Sequence, residues 1–237
     1  MSHDPTSRAP GPLQRTIADL LGKRSVWALA MLAVVAAPLV RAFMAEIPPM
    51  PPEHGVVPEF ALRDESGKPF GSKQLDGKVW IADFIFTSCG DVCPRLTQAM
   101  SEAQYRLRNL KGTVHFVSLT VNPSQDTPER LFEYARAHHA LGAGDWSFLT
   151  GSVDDLRRLV VDGFKMAFGD VPSADAATPT DAAAQLFMAS HGQKLVLVDQ
   201  QRRIRGYYNP DKAGLDRLVL HAGLIANLPQ ESPGAAH

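Results

Sequence analysis

The apolar positions of this chain fall into runs of two kinds. Val26–Val40 is apolar without a break, and Arg41 separates it from a second apolar patch at 42–45. Downstream the runs shorten to strand length. Val57–Leu62, followed by turn residues at Asp64–Gly67, predicts a small hairpin. Val79–Phe86 (V-W-I-A-D-F-I-F) reads as a buried strand in which only Asp83 is charged. The period then becomes helical. Leu96, Met100, Ala103, Leu107 and Leu110 recur every three or four residues, after Pro94 and before Gly112. Thr113–Val121 predicts the next strand. Thr127, with Pro128 just inside, starts a helix running to about Ala140. Trp146–Leu149 is short and extended. Ser152 caps a helix over 153–168, with Asp154 and Asp155 in its favourable first turn. Lys194–Asp199 and Arg202–Tyr208 form a strand pair around Gln200 and Gln201, and Leu215–Leu228 is the last helix. Residues 169–184 lack a period and read as a surface excursion. The order β-β-α-β-α-β-α-β-β-α predicts an α/β sandwich with a mixed central sheet and flanking helices.

The N-terminal part is organised differently. Residues 1–24 are polar, rich in proline, arginine and serine, and end on Lys23 and Arg24. Basic residues ahead of an apolar run predict a cytoplasmic tail at 1–24 and a transmembrane signal anchor at 25–45. The uninterrupted run is shorter than the ~20 residues that cross a bilayer comfortably, and Arg41 would have to snorkel to the far interface. A cleaved signal peptide is a weaker reading, because the leader is long and no clean Ala-x-Ala site follows. A buried soluble helix is weaker still. I-P-P-M-P-P at Ile47–Pro52 makes 46–55 a stiff linker. The folded domain is then expected over 56–228, with a short tail at 229–237.

Composition narrows the function classes. The chain has 237 residues, 45% hydrophobic and 21% charged, which supplies ample core for a globular domain. A formal net charge of -1 gives no electrostatic reason to expect a nucleic-acid partner. Two cysteines are too few for a disulfide scaffold. Their position carries more information than their number.

Cys89 and Cys93 stand in F-I-F-T-S-C-G-D-V-C-P, between the strand at Val79–Phe86 and the helix after Pro94. Residues i and i+4 on a helical turn share a side, with Cβ atoms about 5–6 Å apart. Two thiols so placed can close a disulfide, exchange one, or bind one soft metal. The loop is too short for a disulfide there to work mainly as a staple in the chain-entropy model. The N–H groups opening the following helix favour thiolate and predict lowered thiol pKa values. Thiolate serves both redox and metal chemistry, so location alone leaves both open. Asp91 between the cysteines either tunes the site or is a solvated loop carboxylate. A four-cysteine zinc site is excluded in the monomer; a histidine third ligand would suit copper.

Of the eight histidines, His3 and His237 lie in tails, and His138 and His139 end a helix. His115 sits in a strand, His54 in the linker and His221 on the last helix. His191 stands in a short polar loop before Lys194–Asp199, where it is either solvated or a ligand beside the cysteine loop. Met100 and Met188 are soft-ligand types that at helical spacing usually fill cores. Asp126 fits the loop ahead of the Thr127 helix. Asp83 needs a partner if it is buried.

D-F-I-F-T-S-C-G-D-V-C-P resembles the copper-site motif of the Sco/SenC family. So do S-L-T-V-N-P-S-Q-D-T-P-E-R-L (Ser118–Leu131), W-S-F-L-T-G (Trp146–Gly151) and S-H-G-Q-K-L-V-L-V-D (Ser190–Asp199). The matching segments keep the family's order over about 56–228. The resemblance implies a thioredoxin-like fold on the outer, periplasmic face of a bacterial inner membrane, or the mitochondrial equivalent. It implies copper, as Cu(I) or Cu(II), held by Cys89, Cys93 and His191. The implied role is delivery of copper to the binuclear copper site of a cytochrome c oxidase subunit, or reduction of that site's thiols. Implied partners are that subunit, other copper chaperones and thiol reductants. A thiol–disulfide reductase using Cys89 and Cys93 as its redox-active pair is the alternative. Two positions depart from the family: Gly90 stands where proline is common, and Ser190 where aspartate is common.

Overall fold

The computed structural model of the chain describes residues 24–44, 49–140, 145–166 and 193–228. It divides into two units, with the break between Pro49 and Met50.

The described part of the first unit contains one helix, α1 (Arg24–Met44). Apolar side chains along it are exposed, among them Leu29, Met31, Leu32 and Val34. Among the described residues, no helix is long and apolar enough to cross a membrane. A helix is present over the stretch expected at 25–45. Pro38 lies inside it and Arg41 in its last turn. Val26–Val40 alone reaches roughly 22 Å at 1.5 Å per residue, short of a ~30 Å hydrocarbon core.

The second unit is built on a five-stranded sheet. In chain order its strands are β3 (Val79–Ile85), β4 (Val114–Thr120), β5 (Trp146–Leu149), β6 (Leu195–Val198) and β7 (Ile204–Tyr208). Their spatial order is β5-β4-β3-β6-β7. β4 runs parallel to β3 and to β5, whereas β6 is antiparallel to β3 and to β7. The sheet is mixed, as the pattern predicts. A separate antiparallel hairpin, β1 (Ala61–Arg63) with β2 (Pro69–Gly71), adds the strand that the expected element order did not count separately.

β3 and β4 are buried at every position, which is why both read as near-continuous apolar runs. Trp80, Ile81, Phe84 and Ile85 of β3, with Phe116 and Leu119 of β4, are all within 1% of full burial. Each such side chain contributes about 1.5–3 kcal/mol relative to exposure. Helix α2 (Val92–Arg106) packs on β3, and α5 (Lys212–Ala226) packs on β3, on β7 and on α2. Helix α3 (Pro128–Ala137) lies against β5. Its predicted cap is present, with Thr127 Oγ1 accepting from Arg130 N–H. The helix capped by Ser152 is shorter than expected: α4 (Val153–Arg158) becomes a π-helical turn at Leu159–Gly163. The expected excursion at 169–184 lies outside the described residues.

Each sheet edge is engaged at one end by a neighbouring segment. Along β5, Arg63 and Thr150 exchange two backbone hydrogen bonds, and Glu65 Oε2 accepts from Phe148 N–H at 2.9 Å. Along β7, residues 54–57 run as an added strap. His54 N–H donates to Ile204 O, Ile204 N–H to Gly55 O, and Val57 N–H to Arg202 O. These contacts occupy edge backbone groups that could otherwise recruit another strand.

Candidate metal and dithiol site

β3 delivers the chain to the cysteines. Cys89 N–H donates to Phe86 O at 3.1 Å, closing a turn whose central residues are Thr87 and Ser88. Helix α2 begins at Val92, two residues earlier than Pro94 suggests, so Cys93 lies in its first turn. Both cysteines are free thiols; Cys89 is half-buried and Cys93 fully buried. Cys93 N–H donates to Cys89 Sγ at 3.3 Å. The helix N-terminus thus presents a backbone donor to one sulfur, as expected for a loop that feeds a helix.

For the other sulfur the expectation is overturned. Burial pushes the Cys93 thiol well above the ordinary range, and its hydrogen bond with Cys89 acts in the same direction. Desolvation outweighs the helix N-terminus because the sulfur has no access to water. The pair is chemically unequal, with a more accessible sulfur at Cys89 and a buried, protonated thiol at Cys93.

Three buried polar arrangements surround the pair. Asp83, on β3, lies opposite Ser118 on β4, which donates to its Oδ1 at 2.6 Å. Trp146 Nε1–H donates in turn to Ser118 Oγ at 3.0 Å. Desolvation raises Asp83 to about 7 despite the Ser118 bond. Next, Thr97 Oγ1 donates to Cys93 O at 3.0 Å and lies 2.9 Å from Tyr134 Oη, tying α2 to α3. Last, the buried Asp126 accepts from Thr87 N–H and from the Thr87 and Thr120 hydroxyls. Asp126 therefore does more than shape the loop ahead of α3: it holds the cysteine turn from 39 residues away. The Thr97–Tyr134 and Asp126–Thr87 contacts were not read from the sequence. The signal available was the residue type, since threonine and aspartate beside apolar runs must find partners when buried.

The remaining candidates separate cleanly. Asp91 is an exposed carboxylate paired with Arg95 at 2.8 Å, the solvated alternative. Met100 is core. His115 donates to or accepts from Ser147 Oγ at 3.1 Å and stacks on Phe70. His138 packs at a tilt against Tyr134, His54 contacts the Tyr207 ring, and His221 bonds Tyr208 at 2.7 Å. Gly90 has open space around its Cβ direction, so no close contact requires glycine there. His191, Ser190 and Met188 lie outside the described residues. Among the described residues no group of three or more His, Cys, Asp or Glu side chains could hold a metal ion. A cleft of about 460 Å³ beside the hairpin, lined in part by Phe60, Phe70 and Gln74, contains neither cysteine.

Ala82 pairs with Val196 and Trp80 with Val198 in antiparallel register. The chain therefore enters β6 at the end of the sheet where β3 gives way to the cysteine turn.

Comparison with known proteins agrees with this geometry. The SCO1/SenC family model matches residues 49–219. A SCO1 protein homolog of Bacillus subtilis is 36% identical over 110 residues, covering 46% of this chain and 56% of that protein. The match thus spans little more than half of that relative's length. The solved structure of BsSco, described as a member of the Sco family of cytochrome c oxidase assembly proteins with a disulfide switch, is 27% identical. It superposes with a TM-score of 0.59 over 76% of this chain and 97% of that one. ScoI of Bradyrhizobium japonicum, solved with copper bound, shares the fold at a TM-score of 0.56 and 22% identity, over 72% of this chain and 99% of that one. The mixed sheet with flanking helices is the thioredoxin-like Sco fold, and the chain belongs to the SCO1/SenC family.

Proposed function

We propose that this protein is a copper metallochaperone that binds one copper ion through Cys89, Cys93 and His191 and assists assembly of the binuclear copper site of cytochrome c oxidase. The observation that carries the reading is the register of β6 on β3. It brings the chain that follows His191 into the sheet at the end occupied by the cysteine turn. His191 lies two residues before Gln193, the first described residue of that approach. Two sulfurs and one imidazole suit copper, whose soft Cu(I) state prefers thiolate. Loading such a site releases the Cys93 proton, so uptake is favoured at higher pH. With only three protein ligands, an acceptor's ligands can replace them one at a time, and copper passes without release as a free ion. Membership of the family and the copper held by ScoI of Bradyrhizobium japonicum support the assignment.

The same reading sets the domain in the periplasm at the bacterial inner membrane, anchored through α1. The exposed apolar side chains of α1 supply the surface for that attachment. Partners are then the copper-site subunit of the oxidase, with other copper chaperones or thiol reductants upstream. Domain limits of 56–228, with the linker before and a tail after, belong to the same proposal.

A second reading, thiol–disulfide reductase, is favoured by the inequality of the two thiols. Cys89 would attack a partner disulfide, forming a mixed disulfide and releasing one partner thiol, and Cys93 would then attack the Cys89 sulfur and release the other. The partner leaves as a dithiol and this chain as a Cys89–Cys93 disulfide.

Titration of the reduced full chain, in detergent, with Cu(I) and Cu(II) tests the first reading. The expected result is one copper per chain, lost in Cys89→Ser and Cys93→Ser, with a changed Cu(II) absorption spectrum in His191→Ala. Failure of the wild type to bind stoichiometric copper, or an unchanged spectrum in His191→Ala, sinks it. Turnover of a partner disulfide without copper would support the second reading.

A further inference from the structure

We propose that Asp126 is a positioning residue for the cysteine site, acting through Thr87 to fix the Cys89 sulfur. The proposal deepens the copper reading and rests on it for the ligand.

Thr87 is a central residue of the turn that presents Cys89. Asp126 grips it at two points. Asp126 Oδ1 accepts from the Thr87 hydroxyl at 2.5 Å, and both carboxylate oxygens lie 3.2 Å from Thr87 N. Oδ2 also accepts from Thr120 Oγ1 at the end of β4. The carboxylate is in turn held by its own backbone, since Asp126 N–H donates to Asn122 O at 2.9 Å. Thr120 Oγ1 accepts from Asn122 N–H, which closes the loop on itself.

Asp126 is fully buried. Burying a carboxylate to hold a turn is expensive, and apolar contacts could hold the turn at lower cost. What the carboxylate adds is direction. Two hydroxyls and an amide converge on it, so Thr87 has one available orientation. Thr87 sits two residues before Cys89, whose sulfur is held from the other side by Cys93 N–H. The Cys89 sulfur is thus fixed by one local bond and by one support from a distant part of the chain. A metal site with few ligands depends on such support, because small displacements of one donor weaken the whole site.

The test uses the full reduced chain with Thr87→Val, Asp126→Ala and a control, Ser152→Ala, which removes the cap of α4. Three quantities are read: Cu(I) affinity by competition with a chromophoric chelator, the thiolate-to-Cu(II) absorption band, and the rate at which iodoacetamide alkylates Cys89. In Thr87→Val and Asp126→Ala, copper affinity is expected to fall about tenfold or more, with a shifted band and an altered Cys89 alkylation rate. Ser152→Ala is expected to lose stability and keep all three. The proposal is overturned if folded Thr87→Val and Asp126→Ala match the wild type, or if Ser152→Ala changes the three readouts as much. If Asp126→Ala does not fold, Thr87→Val decides, because it keeps the backbone bond and removes only the hydroxyl. If the wild type takes no copper, the copper reading fails on its own, and the Cys89 alkylation rate still decides the positioning role.

Discussion

Ser118 donates to Asp83 at 2.6 Å across the pairing of β4 with β3, and this bond only partly offsets the cost of burying the carboxyl. Asp83 is raised from 3.8 to about 7. Between those pH values the folded chain keeps a proton that the unfolded chain releases. Stability contributed by this group therefore falls as pH rises through the window and levels off above 7. Asp83→Asn should abolish that slope and raise stability at pH 8 by about 1–3 kcal/mol. Urea unfolding of both proteins between pH 5 and 8 checks it; equal slopes would refute the assignment.

His115 titrates in the opposite sense. Burial, with Lys78 nearby, lowers it from 6.5 to about 4. Below pH 6.5 the unfolded chain binds a proton that the folded chain refuses. Its contribution is complete above 6.5 and is lost as pH falls toward 4. His115→Gln, which can keep a bond to Ser147, should weaken acid sensitivity in that window. Unfolding midpoints at pH 4.5 and 7 measure it, the difference between them being smaller in the variant.

The Thr97 hydroxyl links Cys93 O to Tyr134, and both side chains are buried. Thr97→Val should leave Tyr134 Oη without that partner and cost about 1–3 kcal/mol. Tyr134→Phe removes a hydroxyl but lets Thr97 keep its bond to Cys93 O, so its cost should be smaller. Denaturant unfolding ranks the two; the reverse order would show that Tyr134 has the more important bond.

Asp199 is a buried hub for Arg203 and Arg205, at 2.8 and 2.7 Å, and it also accepts from the N–H groups of Gln201 and Arg203. Arg205 in turn donates to Pro51 O, just ahead of the strap. Asp199→Ala should destabilise the domain by about 3–5 kcal/mol, because it leaves charge and amides without their acceptor. Hydrogen exchange should show lost protection at His54 and Val57, whose amides bond to Ile204 O and Arg202 O. Retained protection would mean that the strap holds independently of the hub.

What the sequence determined was local. Strand runs at 79–86 and 113–121, the caps Thr127 and Ser152, and the placing of the cysteines where a strand gives way to a helix all follow from patterns spanning a few residues. The sequence also marked Asp83 as a group in need of a partner. It could not name Ser118, because that pairing depends on the register of two strands joined through α2. Nor could it show that Asp126 reaches back to Thr87, or that Cys93 is buried past the influence of its helix. Residues 54 and 55 read as linker by composition, yet His54 and Gly55 pair with Ile204 at the start of β7. Side-chain period and capping are properties of neighbouring residues, so they are legible along the chain. Partners, burial and register are set by the sheet order, which brings distant segments together, and only the tertiary structure decided them. The cysteine turn illustrates both: its two thiols were evident from the start, while the supports that hold them came from β4, α3 and the loop between them.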